Sequence, residues 1–252
     1  MIDLEATLKL LPIDCIKMHE EFQITRFEKT FRAIKKEKVL INPVIVKKMN
    51  NNDYLLIDGV HRLLSLKELG CKYIACQVIE CENINLQMWA HLVKAGKWIN
   101  EINNKQLLVS NKAIENLKFV FKITNTEQKS LFYYFANEEN IIGYVNLLHK
   151  VVENYKYDNI YRVSEINNCV VIKDNALIEF YQFKFEDIVN LTSKGTKLPT
   201  GITRFFINQR LLNLRIPIEY MESEACENNW KALLKTIQQK LRYYPESVYM
   251  CE

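Results

Sequence analysis

Between residues 54 and 70 the apolar spacing of the chain changes period. Tyr54-Leu-Leu-Ile57 is a short, unbroken apolar run suited to a buried strand, whereas Leu63, Leu64, Leu66 and Leu69 recur at the spacing of one helical face, with Gly70 as its stop. The change falls across Asp58-Gly59. A strand that passes directly into a helix fixes an α/β arrangement locally, and with only six glycines in 252 residues a glycine at that junction marks a backbone that needs one. Such a junction is a recurrent way to grip phosphate: the glycine lets the backbone approach closely, and the helix start offers unpaired N–H groups and the positive end of the dipole. His61 and Arg62 add side-chain donors, and an arginine can hold phosphate oxygens in a two-pronged contact. Asp58 beside them can hold Mg2+ or orient an attacking hydroxyl. The same pattern also fits a plain turn, with Asp58 capping the helix and Arg62 on the surface. No GxxxxGK[ST] occurs, so an ordinary P-loop kinase is excluded by motif.

The flanking sequence extends this arrangement. Residues 8–18 read as a strand broken at Pro12 and resumed over Cys15–Met18, followed by a loop over His19–Phe22. Thr25-Arg-Phe-Glu28 has the spacing of a capping box and opens a helix with Phe27, Phe31 and Ile34 on one face. Asn42-Pro43 starts a strand over 44–46, which a turn at Asn50–Asn52 pairs with Tyr54–Ile57, and residues 73–79 supply another strand. Further on, Met88–Trp98 and Asn140–Asn154 read as helices, 160–183 as two or three strands, and Phe185–Ser193 as a helix closed by Gly195. After a loop at 197–201 come the runs Ile202–Ile207 and Leu211–Ile216, and a last helix over Asn229–Tyr243. The pattern predicts two lobes, 1–80 and 81–252.

Several classes are set aside by composition. The formal charge is +4 and spread along the chain, with no dense Lys/Arg block, so a duplex-binding face is not indicated. The first residues carry acids and no apolar core of the secretory kind, and no apolar run approaches the ~20 residues that span a bilayer. Seven cysteines, at 15, 71, 76, 81, 169, 226 and 251, form no CxxC pair and read as reduced, mostly buried thiols of a cytoplasmic protein. His19, His91 and His149 lack the spacing of a metal site.

Ile57-Asp58-Gly59-Val60-His61-Arg62 resembles the phosphate-binding signature of the ParB/sulfiredoxin-like superfamily, with Arg26 near a helix start, Asn42–Val46, Tyr54–Ile57 and Leu69-Gly70 in matching order. Sulfiredoxins carry a reactive cysteine between the glycine and the histidine; Val60 stands there, which excludes that thiol chemistry. Chromosome-partitioning members add a helix-turn-helix module, which is not recognisable after residue 80. The chain is most similar to the free L-serine kinases of this superfamily, some of which supply O-phospho-L-serine for siderophore synthesis. That likeness runs through Leu8-Lys9-Leu10, His19-Glu20, Glu28-Lys29-Thr30, the DGVHR core with Ser65-Leu66-Lys67, Leu69–Lys72, Gly201–Phe205, Leu212–Leu214 and Asn229–Lys231.

The resemblance implies an α/β (α+β) fold: a ParB/sulfiredoxin-like nucleotide-binding lobe over 1–80, a second mixed α/β substrate-binding lobe over 81–252, and an active site in the cleft between them. It implies ATP and Mg2+ as cofactors, free L-serine as substrate, and no membrane partner. Glu20 takes the place of the catalytic carboxylate, and Asp58 would position metal or hydroxyl. Gly59, Val60, His61 and Arg62 would hold the nucleotide phosphates, with Arg26 and Lys29 adding positive charge; Thr203, Arg204 and Trp98 would face the substrate. Taken without the resemblance, Glu20 reads as a solvated loop acid beside Glu21, Arg204 as half of a surface ion pair, Trp98 as core, and Arg26 and Lys29 as an exposed cationic face. The rival functions are a ligand- or nucleotide-sensing ParB-like regulator that binds DNA, and a phosphotransferase or nucleotide hydrolase acting on another acceptor.

Overall fold

The change of period at Asp58-Gly59 is the place where a strand meets a helix. The computed structural model describes residues 3–49, 52–80, 84–102, 107–135, 141–156, 159–166, 169–223 and 227–243. Two units alternate along the chain: Met1–Lys17, Phe22–Asn83 and Asn208–Glu252 form the first, Met18–Glu21 and Ile84–Ile207 the second.

In the first unit, α1 (Leu4–Thr7) is capped by Asp3, which accepts from the Ala6 N–H at 3.2 Å. There follow β1 (Leu8–Pro12), a 3-10 turn at Ile13–Cys15, β2 (Ile16–Met18), α2 (Ile24–Glu37), β3 (Val39–Leu40), β4 (Val44–Lys48), β5 (Tyr54–Asp58), α3 (Val60–Glu68) and β6 (Tyr73–Ile79). Five strands join in the order β1-β6-β4-β5-β2, with the β4–β5 hairpin antiparallel and β4 parallel to β6. Val44, Val46, Leu55, Ile74, Ala75 and Cys76 are fully buried, as the apolar runs of central strands require. Against the expectation of a capping box, α2 starts before Thr25, with Gln23 at its N-cap and no side-chain cap bond. The Phe22 and Phe27 rings meet instead at 5.8 Å, and this apolar staple sets where the chain enters the helix.

The second unit holds β7 (Ile84–Met88), β8 (Ala90–Lys94), α4 (Trp98–Glu101), β9 (Leu107–Ser110), β10 (Phe121–Thr124), β11 (Ser130–Phe135), α5 (Ile141–Glu153), β12 (Tyr161–Val163), β13 (Asn175–Phe180), α6 (Phe185–Ser193) and β14 (Thr203–Ile207). Its main sheet is antiparallel, in the order β12-β8-β13-β10-β11-β9, and β14 pairs with β7 alone. The stretch expected as a helix over Met88–Trp98 instead holds the end of β7, the whole of β8 and, after residues 95–97, the first residue of α4. Its apolar residues fit either period over so short a run, and pairing decides: β8 lies between β12 and β13 and spends its backbone groups on both ladders.

The chain then returns to the first unit through β15 (Ile216–Pro217), which pairs with β3, followed by α7 (Glu219–Glu222) and α8 (Glu227–Lys240). A division at residue 80 misses this return. Buried Gln77 holds the returning segment at both ends of its amide, donating to the Gln209 carbonyl and accepting from the Leu211 N–H, each at 2.9 Å. The Asn213 N–H adds a bond to Asn42 Oδ1 at 2.7 Å. Among the described cysteines, Cys71 and Cys76 are buried and Cys15 and Cys169 partly so; Cys81, Cys226 and Cys251 lie outside the described residues. No helix among the described residues is long and apolar enough to cross a membrane.

Candidate active site

In the first unit the residues expected to hold phosphate gather where β5 gives way to α3. Gly59 is the N-cap of α3 at φ 108°, a backbone that residues with a side chain rarely adopt. Space forbids a side chain as well, since a Cβ there would lie 2.7 Å from Val44 Cγ1 and 2.9 Å from Arg62 Nη2. The helix begins with the Leu63 N–H on the Gly59 carbonyl at 2.9 Å, so the N–H groups of Val60, His61 and Arg62 have no acceptor within the helix. Asp58 is not the cap. Its Oδ2 accepts from Arg62 Nη2 at 3.0 Å and from Arg210 Nη2, so one carboxylate lies against two guanidinium groups. Burial would raise the Asp58 carboxyl, but the charges of Arg62 and Arg210 outweigh it and hold the group below its ordinary value. Arg62 Nη1 donates to the Asn42 and Pro43 carbonyls at 3.0 and 2.6 Å, which binds the loop before β4 to the junction.

In the second unit the centre is Glu20. Its Oε1 accepts from the Thr203 N–H at 2.6 Å and from the Thr203 hydroxyl, and its Oε2 accepts from the Gly201 N–H at 2.9 Å. Because the Thr203 hydroxyl gives its hydrogen to Glu20, it accepts from His19 Nε2 at 2.9 Å, and this places the His19 ring hydrogen on Nε2. The backbone on either side of Glu20 is tied to Leu198: the Leu198 N–H donates to the His19 carbonyl and the Glu21 N–H to the Leu198 carbonyl. The Gly201 peptide is held from its other side too. His91, fully buried, donates from Nε2 to the Gly201 carbonyl at 2.9 Å, so its Nδ1 accepts from the Tyr155 hydroxyl at 3.2 Å. Burial pushes His91 down to about 4, against the pull of its bond to Gly201, and it stands as a neutral imidazole.

Several expected residues thus fall into place by element. Glu20 meets Thr203, and Asp58, Gly59 and Arg62 meet one another, with Val60 and His61 in the first turn of α3. Arg26 and Lys29 lie on the exposed side of α2. Trp98 packs against the Tyr155 ring at 5.4 Å, three contacts from Gly201 by way of Tyr155 and His91. Arg204 does not meet Glu20. Alternation along β14 turns Thr203 and Phe205 toward His19 and sends Arg204 to the opposite face, where its guanidinium lies 4.4 Å from the Trp89 ring and 4.1 Å from that of Phe206. Arg210, His91 and Gln77 were not expected. Gln77 had a visible signal, a lone amide inside the apolar run Tyr73–Ile79, because a buried polar group needs partners.

Residues 5–92 match the ParB N-terminal domain. Across 97% of both chains the sequence is 29% identical to the ATP-dependent L-serine kinase SbnI of Staphylococcus aureus. It is 28% identical to an ATP-dependent L-serine kinase of Staphylothermus marinus, over 53% of this chain and 59% of that one. The solved structure of SbnI with a C-terminal truncation superimposes with a TM-score of 0.84 at 27% identity, covering 94% of this chain and 99% of that one. A free serine kinase in complex with AMP shares the fold, with a TM-score of 0.67 at 15% identity over 85% and 93% of the two chains. The resemblance drawn from the motifs is borne out.

Proposed function

We propose that this chain, which carries a ParB N-terminal domain and is similar to SbnI along its length, is an ATP-dependent kinase that converts free L-serine to O-phospho-L-serine. One observation carries the reading furthest: on a chain so similar to a serine kinase, Glu20 is a carboxylate aimed by three donors of a single turn. The serine hydroxyl oxygen attacks the terminal phosphorus of ATP. The new O–P bond forms as the bond to ADP breaks, and the hydroxyl proton passes to Glu20. A carboxylate offers about four acceptor positions. Oε1 uses two and Oε2 one, so Oε2 is the oxygen that receives the proton.

The phosphates are held at the start of α3, where Gly59 allows a close approach and the first-turn N–H groups, His61 and Arg62 donate. Arg62 also keeps Asp58 and the Asn42-Pro43 loop in place, and Arg210 brings a second positive charge. Among the described residues no three His, Cys, Asp or Glu side chains gather as a metal site. Asp58, kept ionised by its two arginines, fits an Mg2+ that arrives on the nucleotide, since that ion takes one or two carboxylates along with phosphate oxygens and water. When bound, it would neutralise phosphate charge. A cytoplasmic location and a siderophore route as consumer of the product belong to the same proposal. The DNA-binding regulator is not favoured, because the full-length relative is a kinase.

The test is to mix purified protein with Mg-ATP and L-serine and follow phosphorus NMR. An O-phosphoserine resonance is expected from wild type, and Glu20→Ala should form it at least about a hundredfold more slowly. Absence of product from wild type would refute the kinase reading.

A further inference from the structure

Serine brings a carboxylate as well as a hydroxyl, and Arg204, the cation expected to receive it, stands on the far face of β14 from Glu20. We infer that Arg162 is the residue that binds the α-carboxylate of the substrate and so selects an amino acid over a simple alcohol. It rests on the serine-kinase reading.

Arg162 lies on β12, the outer strand of the six-stranded sheet, directly opposite His91 in the β8 ladder, and its side chain is exposed. Its guanidinium lies against Gly201. A Cβ on that glycine would press on Arg162 Nη2 and stand 2.6 Å from Nε and 2.8 Å from Cζ, so the group occupies the space a side chain at 201 would need. At φ 76° the Gly201 backbone has the left-handed conformation that favours glycine. Both polar groups of this residue are fixed: the N–H on Glu20 Oε2 and the carbonyl on His91. The cation therefore rests on the same rigid turn that aims the carboxylate base.

A protein cation there would complement the carboxylate of the substrate. In serine the carboxylate is separated from the hydroxyl oxygen by two carbons, so a hydroxyl presented to Glu20 carries a second negative group to within a few ångströms of it. Like charges at that range repel, the substrate's own ammonium offsets part of this, and a guanidinium on the carboxylate would offset more. A guanidinium offers two parallel donors that match the two oxygens of a carboxylate. His91 does not supply the charge, because it is buried and neutral.

The experiment compares L-serine with L-serinamide, which keeps the hydroxyl and ammonium and lacks the negative charge, in wild type, Arg162→Gln and Arg162→Lys. The glutamine variant should raise KM for L-serine roughly 100-fold. Its KM for ATP and its turnover of serinamide should stay within about threefold of wild type, so the preference for L-serine over serinamide collapses. Lysine, which keeps the charge without the fork, should restore part of that preference. Calorimetric titration of L-serine should show the same order of affinity in the three proteins. If wild type makes O-phosphoserine and Arg162→Gln keeps the preference, the assignment of Arg162 is overturned while the kinase stands. Equal loss of both substrates in the glutamine variant, unrelieved by lysine, overturns it too. Failure of wild type to phosphorylate serine refutes the kinase reading and this inference with it.

Discussion

Replacement of Glu20 separates holding a turn from accepting a proton. In Glu20→Ala, the N–H groups of Gly201 and Thr203 both lose their acceptor, and Gly201 is buried. Each orphaned donor costs about 1–3 kcal/mol, so the second unit should lose about 3–5 kcal/mol, with the Thr203 hydroxyl turning elsewhere. In Glu20→Gln, an amide oxygen at the Oε1 position still accepts both Thr203 bonds, but the NH2 group then faces the Gly201 N–H, donor against donor. That variant should lose about 2 kcal/mol. Activity should not follow the same grading, because neither variant has a basic oxygen, and both should fall by 10²–10⁴-fold in kcat. Urea unfolding can be followed by fluorescence, with Trp89 and Trp98 reporting the second unit and Trp230 the first. Product formation is measured in parallel by phosphorus NMR. A glutamine variant that phosphorylates serine within threefold of wild type would refute the proton acceptor. An alanine variant that unfolds at the wild-type urea concentration would refute the turn clamp.

Gly59→Ala should cost about 1–2 kcal/mol for the left-handed backbone alone and push Arg62 away from Asp58, lowering the affinity for a fluorescent ATP analogue at least tenfold; undiminished affinity would contradict the close approach at this junction. His91 links stability to pH. Its pKa is depressed in the folded state, so between about pH 6.5 and 4 the unfolded chain takes up a proton that the folded chain refuses, and stability falls as pH drops through that window by roughly 3 kcal/mol. Urea midpoints at pH 7, 5.5 and 4.5 measure the slope, which should become shallower in His91→Gln. Gln77→Leu leaves the Gln209 carbonyl and the Leu211 N–H without their partner, so about 2–4 kcal/mol should be lost and trypsin should cut at Arg210 or Arg215; a variant as resistant as wild type counts against the clamp.

The junction at Asp58-Gly59 was legible because everything that makes it is local: a change of apolar period, one glycine and a good helix stop. Glu20 and Thr203 were placed by resemblance, yet the bond between them joins residues 183 positions apart, and no pattern along the chain contains it. The position of Arg204 on the face away from His19 follows from strand register. Neighbours on a strand face opposite ways, and which of Thr203 and Arg204 turns toward His19 is fixed by how β14 pairs with β7. Met88–Trp98 was misread because a short apolar run has no period of its own until its neighbours supply the ladders. The start of α2 was displaced by a ring contact, Phe22 on Phe27, that outweighs capping chemistry two residues later.

The return of the chain to its first unit has a consequence during synthesis. The Asp58-to-Arg62 stretch leaves the ribosome early, whereas Arg210 and the backbone groups that satisfy Gln77 come only after the whole second unit has been made. While the second unit is emerging, the first carries a buried amide with nothing to bind and an aspartate with one of its two arginines. The unit that carries Asp58 and Gly59 is thus begun first and finished last, and a nascent chain that stops at Ile207 would have the Glu20 contacts to Gly201 and Thr203 but an Asp58 still without Arg210.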